Sequence, residues 1–407
     1  MSRSAAVSPH SPAPTTTTSR TGGGYPSGWD PSKWAGRFYA AYFGVLGVIL
    51  PFLGPYLRWR GFTAAAIGAV TAALSLAKLG YAPWIAGRAD RGRWRRGTLA
   101  VHLAGAAAVA GLLPALDGPW RVALAVLLVG AGYGAVLPVV EAVILERVRP
   151  FAYGRLRLWG SVGFIAAAGA ASWAWRALGP GGFPLLLGAA LALTAGAVLP
   201  FEPVAAAGPQ VPAPRRPLSA GVWTTLAVLA ANQVFHGPYY AFFSIHLVEA
   251  GYGSVAVGAL WSLGVLAELA AFAGAGRLER RWGHRRLLLA ALGGAGLRWA
   301  VLSLAPAPPV LVVAQLGHAA SFALAHAAGI QLVQRLAPPG TARTVQAYYS
   351  GVVFGLGLVT GSVAAGPVYA ALGGRGSFAA AALATAALAG AWASIAPRVR
   401  PAPVIRR

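Results

Sequence analysis

Apolar residues along this chain come in long unbroken blocks, not in the short alternating runs of strands or the one-sided stripes of surface helices. About twelve blocks of roughly 20 residues can be marked, each long enough to cross a ~30 Å hydrocarbon core as a helix. The pattern predicts spans at 36–57, 64–86, 97–116, 121–145, 157–177, 182–199, 220–247, 253–275, 287–305, 309–334, 344–371 and 377–396. Backbone polar groups within lipid must be satisfied inside their own segment, so spans of this composition are helices. The predicted fold is an all-α integral membrane protein with 12 transmembrane helices.

Composition agrees with the pattern: 57% of residues are hydrophobic and 10% charged. A soluble domain carries about 25% charged residues, so a water-soluble enzyme is excluded. The net charge of +24 invites a nucleic-acid reading, but its distribution argues against one. Of the 33 Lys and Arg, 26 fall in the N-terminus, the even-numbered turns and the C-terminus. The opposite turns hold Arg58, Arg60, Arg121, Arg176 and Arg375, and the spans themselves hold Lys78 and Arg298. By the positive-inside rule both termini are cytoplasmic, and the basic face attracts anionic lipid. No nucleic-acid partner is expected. Cysteine is absent, which rules out disulfides and thiol-bound metals. An excess of Arg over Lys with abundant Ala and Gly suggests a GC-rich bacterial genome, and hence the cytoplasmic (inner) membrane of a bacterium.

Residues 1–33, rich in Ser, Pro, Thr and Gly and without an apolar core segment, read as a disordered cytoplasmic tail and not a signal peptide. Residues 397–407 read as a second cytoplasmic tail. Trp34, Trp59, Trp84, Trp120, Trp173, Trp175 and Trp223 lie near predicted span ends, where interfacial belts are expected. No phosphate loop, HExxH or GxSxG occurs, so no cofactor, metal or hydrolytic chemistry is indicated.

The chain also repeats itself. A shift of 190 residues lays Phe52, Leu57, Gly61, Phe62 and Gly68 on Phe242, Leu247, Gly251, Tyr252 and Gly258. It also lays Arg91, Arg95 and Arg96 on Arg281, Arg285 and Arg286, and Phe164 on Phe354. The seam, 200–218, is a Pro- and Ala-rich linker between halves 34–199 and 219–396. An even number of spans per half makes the halves parallel, related by a pseudo-twofold axis normal to the membrane, so that they can rock about a central site.

Twelve spans in a 6+6 repeat, with a basic turn after spans 2 and 8, resemble the major facilitator superfamily. The turn AGRADRGRWRR (86–96) is similar to the superfamily's G-x-x-x-D-R-x-G-R-[RK] loop, with Ala86 in place of the first glycine and Gly92 one residue early. Its copy, GRLERRWGHRR (276–286), keeps the glycines and has Arg280 in place of the aspartate. Three segments resemble the phenylpropionate permease family, relatives of the lactose and nucleoside proton symporters: YGRLRLWGSVGF (153–164), HGPYYAFFSIHL (236–247) and HAASFALAH (318–326). The resemblance covers roughly 36–396 and implies a proton-coupled importer of a small organic solute.

Ionisable and polar groups inside the spans are the functional candidates, because a charge at mid-bilayer costs about 2.5–3.5 kcal/mol on insertion scales. They are Lys78, His102, Glu141, His236, His246, Glu268, Arg298, His318 and His326. Lys78 and Glu268 differ by 190 and so occupy equivalent depths in spans 2 and 8. Either both face the cavity, one for an anion and one for a proton, or they are structural or snorkelled side chains. A carboxyl in a poorly hydrated site takes up a proton more readily than one in water, which makes Glu268 the leading proton carrier. The resemblance adds that sugar–proton symporters carry a functional glutamate in that span. It also adds an arginine in span 9 near the histidine of span 10; Arg298 fits that place, and snorkelling to the outer head groups is the alternative. His318 and His326 complete the proposed coupling group.

Span 7 carries Asn232, His236, Tyr239, Phe243 and His246 within an arc of about 80°. Span 10 carries Gln315, His318, Phe322, His326 and Gly329. These stripes suggest a wet, aromatic-lined cavity, although a lone membrane histidine is more often a helix–helix hydrogen-bond partner. The substrate-binding candidates are therefore Lys78, Glu141, Asn232, His236, Tyr239, Phe243 and Gln315. Glu141 has a rival role as a bridge to Arg155 or Arg157 across the turn. Asp90, with Arg91, Arg95, Arg155 and Arg157, is a candidate gate at the cytoplasmic ends of the spans. His102, without polar company, reads as structural.

The function read from the chain is secondary active transport by a monomer: a small organic solute (aromatic carboxylate, nucleoside or saccharide-like) enters with protons. A proton-driven exporter of hydrophobic compounds would need the same carboxylate. A membrane enzyme or sensor is the remote reading, since His318 and His326, rotated about 80° apart on an α-helix, chelate poorly.

Overall fold

The computed structural model describes residues 31–90, 97–147, 150–201, 217–339 and 341–399. Apart from their inner edges, the predicted tails 1–33 and 397–407 and the linker 200–218 lie outside these residues, as do Arg91 and Arg95. The side chains of Lys78 and Asp90 also lie outside the described part.

Every element among the described residues is helical. The first half comprises α1 (Pro31–Trp59), α2 (Ala64–Asp90), α3 (Thr98–Leu112), α4 (Pro119–Gly134), α5 (Val136–Arg147), α6 (Pro150–Leu178) and α7 (Phe183–Val198). The second comprises α8 (Ala220–Phe235), α9 (Gly237–Glu249), α10 (Ser254–Leu302), α11 (Pro308–Leu316), α12 (Ala325–Leu336), α13 (Ala342–Tyr348) and α14 (Leu358–Ile395). Two π-helical stretches, Ala319–Leu324 and Tyr349–Gly357, join α11 to α12 and α13 to α14. Eight helical stretches among the described residues are long and apolar enough to cross a membrane.

The basic turn expected at 276–286 takes another form. The helix runs on to Trp282 and reverses at Gly283, whose φ of 73° only glycine adopts readily. Gly373 (φ 63°) breaks α14 in the same way.

The 190-residue repeat is visible in backbone detail. After α1, the Phe62 amide donates to the Leu57 carbonyl at 3.1 Å and Gly61 holds φ 79°. After α9, the Tyr252 amide donates to the Leu247 carbonyl at 3.0 Å and Gly251 holds φ 89°. Both are Schellman endings, in which a left-handed glycine lets the chain satisfy the last carbonyls of the helix. The next helices then start at Ala64 and Ser254, again 190 apart.

One apolar core gathers the helices of the first half, and a second gathers α8, the later rod of α10, α12 and the end of α14. A third crosses between the halves, setting Phe164 and Ala168 of α6 among Tyr239, Phe243 and Trp261. The halves also meet where α1 passes α9, α2 passes α14 and α6 passes α10. A methyl group on Gly366 would stand 2.7 Å from the Ala64 carbonyl oxygen, so α2 and α14 approach as closely as backbones allow. Ser254 Oγ donates to the Ser172 carbonyl at 2.9 Å.

Two tryptophans at span ends pack against the protein. Trp34 is buried, stacked on Phe38 and Phe201, and donates to the Ala197 carbonyl at 2.6 Å. Trp175 stacks on Phe52 at 4.9 Å. Trp59, Trp84, Trp120, Trp173 and Trp223 are exposed.

Candidate functional site

Two polar clusters occupy the interior, one in each half. The second-half cluster centres on Arg298, on the later rod of α10. It is 2% exposed and does not snorkel. Nε donates to the Ala314 carbonyl at 2.9 Å, Nη1 to Ser321 Oγ at 3.1 Å and Nη2 to Gln315 Oε1 at 3.5 Å. Its guanidinium carbon lies 4.1 Å from the Tyr239 ring centroid and 4.6 Å from that of Trp299. The charge is thus held by a rigid fork of acceptors and two aromatic faces, an arrangement suited to Arg and not to Lys.

Glu268 lies on the earlier rod of α10, and its Oε1 is 2.7 Å from His318 Nε2. The carboxylate side chain keeps 19% exposure and the histidine 5%. A contact this short between a carboxylate oxygen and a ring nitrogen is a hydrogen bond with one proton between the two atoms. His318, Phe322 and His326 form a column of stacked rings, with centroids 5.6 and 6.2 Å apart. The column stands where the chain turns π-helical: the wider turn brings together rings that an α-helix would rotate apart. His326 Nδ1 reaches the Tyr349 hydroxyl at 2.8 Å.

The span-7 candidates pack behind this group. Tyr239 donates to Gln315 Oε1 at 3.1 Å, His236 Nδ1 meets the Asn232 carbonyl at 2.7 Å, and Asn232 Nδ2 donates to the Ser321 carbonyl at 3.3 Å. Asn232, His236, Tyr239, Phe243 and Gln315 are all buried in helix contacts in this conformation.

In the first half, Glu141 on α5 accepts from Tyr153 at 2.7 Å and from Tyr39 at 3.4 Å, and its Oε1 lies 3.4 Å from Arg157 Nε. The Arg157 guanidinium covers the Phe43 ring at 4.2 Å and that of Tyr39 at 5.2 Å. Arg157 keeps 37% side-chain exposure. Arg155, two residues earlier on α6, is exposed. His102 pairs with the Thr98 carbonyl at 2.7 Å and the Tyr81 hydroxyl at 2.8 Å.

Ser321 and Tyr349 were not singled out by the sequence, although they link Arg298 to His318 and close off His326. The only signal was a hydroxyl three residues after a membrane histidine.

The helical fold, a transporter-family profile over most of the chain and transporter relatives together define a membrane transporter of the major facilitator superfamily, not an enzyme. The chain belongs to the MFS_1 like family, whose sequence profile matches residues 34–380. It is 30% identical over 363 residues to a probable 3-phenylpropionic acid transporter of Escherichia coli (strain K12), covering 84% of this chain and 92% of that protein. It is 32% identical over 336 residues to a maltose permease of Geobacillus stearothermophilus, covering 79% and 83%. Among solved structures, the nucleoside transporter NupG superposes with a TM-score of 0.74 at 18% identity, over 90% of this chain and 99% of that one. An auto-inhibited POT family peptide transporter gives 0.73 at 12% identity, over 93% and 98%. At these identities the structures bear on the fold alone.

Proposed function

We propose that this transporter is a symporter that carries a small organic solute with protons into a bacterium, across the cytoplasmic membrane, by alternating access. In this reading twelve spans form two six-helix bundles about a pseudo-twofold axis, both termini are cytoplasmic and the monomer is the working unit. The matched endings at Gly61 and Gly251 support the repeat, and the breaks at Gly283 and Gly373 support the span count.

The observation that carries the proposal is the Glu268–His318 contact of 2.7 Å beside the buried Arg298. A carboxylate there offsets the guanidinium charge. Protonating it removes that compensation and weakens the hold between α10 and the α11–α12 span, which permits the halves to rock. His326 passes the proton onward.

The solute binds between the two clusters. Arg157, with the aromatic faces of Phe43 and Tyr39 beside it, suits an aromatic carboxylate: the cation takes the carboxylate and the rings take the apolar body. On the sequence pattern Lys78 supplies a second cation. Tyr239 and Phe243 form the far wall, and Asn232, His236 and Gln315 fix it. Glu141 holds Arg157 in place until the solute arrives, and Asp90, Arg91, Arg95 and Arg155 act at the cytoplasmic gate. The names of the two relatives, an acid transporter and a sugar permease, support a small organic solute.

The test is internal acidification of proteoliposomes during exposure to phenylpropionate-like acids, nucleosides and oligosaccharides, with Glu268→Gln as control. Acidification with one class, lost in the variant, is expected. Acidification that survives in the variant overturns the assignment of Glu268. Silence across the panel in folded protein, with lower accumulation of hydrophobic compounds in expressing cells, turns the direction to export.

A further inference from the structure

Two helical irregularities meet at one small cavity in the second half: both π-helical stretches contribute to its lining, beside α8. The cavity measures about 10 Å³, room for roughly one water molecule. Asn232, Gln233, Ser321, His326 and Tyr349 contribute its polar lining.

Asn232 and Gln233 are each 3% exposed, yet Asn232 Oδ1 and Gln233 Oε1 have no hydrogen-bond partner in the protein. A buried acceptor left unmet costs about 1–3 kcal/mol. A ligand that meets both must donate two hydrogen bonds, which a single water molecule can do.

The polar groups on either side form two ends of a chain. On one side, Glu268 Oε1 meets His318 Nε2 at 2.7 Å, and His318 Nδ1 meets Ser321 Oγ at 3.4 Å. On the other, His326 Nδ1 meets the Tyr349 hydroxyl at 2.8 Å. The direct line between the two histidines is filled by the Phe322 ring, which carries no proton. The cavity, bordered by both Ser321 and His326, is the polar way around it.

We propose that this cavity binds one water molecule, held by Asn232 and Gln233, that joins Ser321 to His326 and completes a proton path from Glu268 to Tyr349. The path rests on Glu268 being the proton site proposed above. As Glu268 gives its proton to His318 Nε2, His318 Nδ1 gives one to the Ser321 hydroxyl and Ser321 gives one to the water. The water gives one to His326, and the His326–Tyr349 pair holds the extra proton as an imidazolium hydrogen-bonded to the phenol oxygen until solvent reaches the pair when the halves move. Glu268 has then lost one proton and the His326–Tyr349 pair has gained one, and every group between them breaks one bond to hydrogen and forms one.

The experiment compares net 3-phenylpropionate uptake driven by a pH gradient with 3-phenylpropionate counterflow, which needs no net proton movement. Both are measured in proteoliposomes of the full chain. Gln233→Met removes one acceptor, and Val353→Leu fills the cavity without touching a polar group. Both variants are expected to lose gradient-driven uptake by about tenfold or more while counterflow stays near wild type. Undiminished driven uptake in either folded variant overturns the water path while leaving Glu268 intact. Equal loss of both activities in folded protein makes the residues structural and overturns it as well. Counterflow without any pH-driven uptake in the wild type, with Glu268→Gln indistinguishable from it, overturns the proton site and the path together.

Discussion

Arg58, at the end of α1, and Glu249, at the end of α9, form an ion pair across the two halves, with 2.9 Å between Nη2 and Oε1. The same carboxylate accepts from the Tyr369 hydroxyl of α14 at 2.6 Å, so three helices are tied at one point. The ionic partners are 50% and 40% exposed, and such a pair contributes little to folding, about 1 kcal/mol at most. In the alternating-access reading proposed above, its effect falls on the equilibrium between conformations, because the pair spans the two halves at this end and breaks when they part there.

Glu249→Gln should therefore leave the melting temperature nearly unchanged while opening this face. The chain has no cysteine, so a single Cys at Leu50, in the packing between the halves, reports access directly. Its labelling by a membrane-impermeant thiol reagent should speed up in Glu249→Gln and Arg58→Gln alike. The swap Arg58→Glu with Glu249→Arg should slow it again. Equal labelling in all four proteins would show that the pair holds nothing.

Gly366→Ala should act on the same equilibrium through sterics. The added methyl meets the Ala64 carbonyl oxygen at 2.7 Å, an overpacking that costs about 1–3 kcal/mol in the closed arrangement. Maximal transport rate should fall several-fold, with the solute's half-saturation concentration changing less. A full rate would mean that α2 and α14 can separate without cost.

Arg298→Ala should destabilise the protein by roughly 3 kcal/mol or more, since it leaves buried acceptors unmatched and Glu268 without compensation. Arg298→Lys should recover little, because one ammonium cannot meet Ala314, Ser321 and Gln315 in the fork geometry. Thermal unfolding of detergent-solubilised protein reads both.

Arg157→Lys should raise the half-saturation concentration for a carboxylate solute by about tenfold, through loss of bidentate contact and of stacking on Phe43. A neutral solute of similar shape should be affected far less. Equal effects on both would place the carboxylate elsewhere.

Much of this was written in the chain. The long apolar blocks dictate helices, and the matches at Gly61 and Gly251 foretell two identical helix endings. Single ionisable residues in separate spans, Glu268, Arg298 and His318, stood out as costly, and the fold gathers them into one cluster. Other features were out of reach because periodicity assumes a fixed 100° step. The π-helical stretches change that step, so the stacking of His318 on His326 through Phe322 could not be read from spacing. Gly283 carries no mark distinguishing a sharp reversal from an ordinary loop glycine. Trp34 and Trp175 sit at span ends as interfacial residues do, and only tertiary neighbours decide that they face inward.

The π-helical stretches also bear on movement. Each contains a residue more than an α-helix of the same rise needs. Exchanging wide turns for α turns one bond at a time relocates that surplus along the rod. Side chains between the old and new positions then swivel by about 100° while both ends of the rod keep their places. The α11–α12 rod can in this way re-aim His326 relative to Arg298 with Pro308 and Leu336 as fixed bearings, so a local twist can reorder the proton-bearing groups before either bundle tilts.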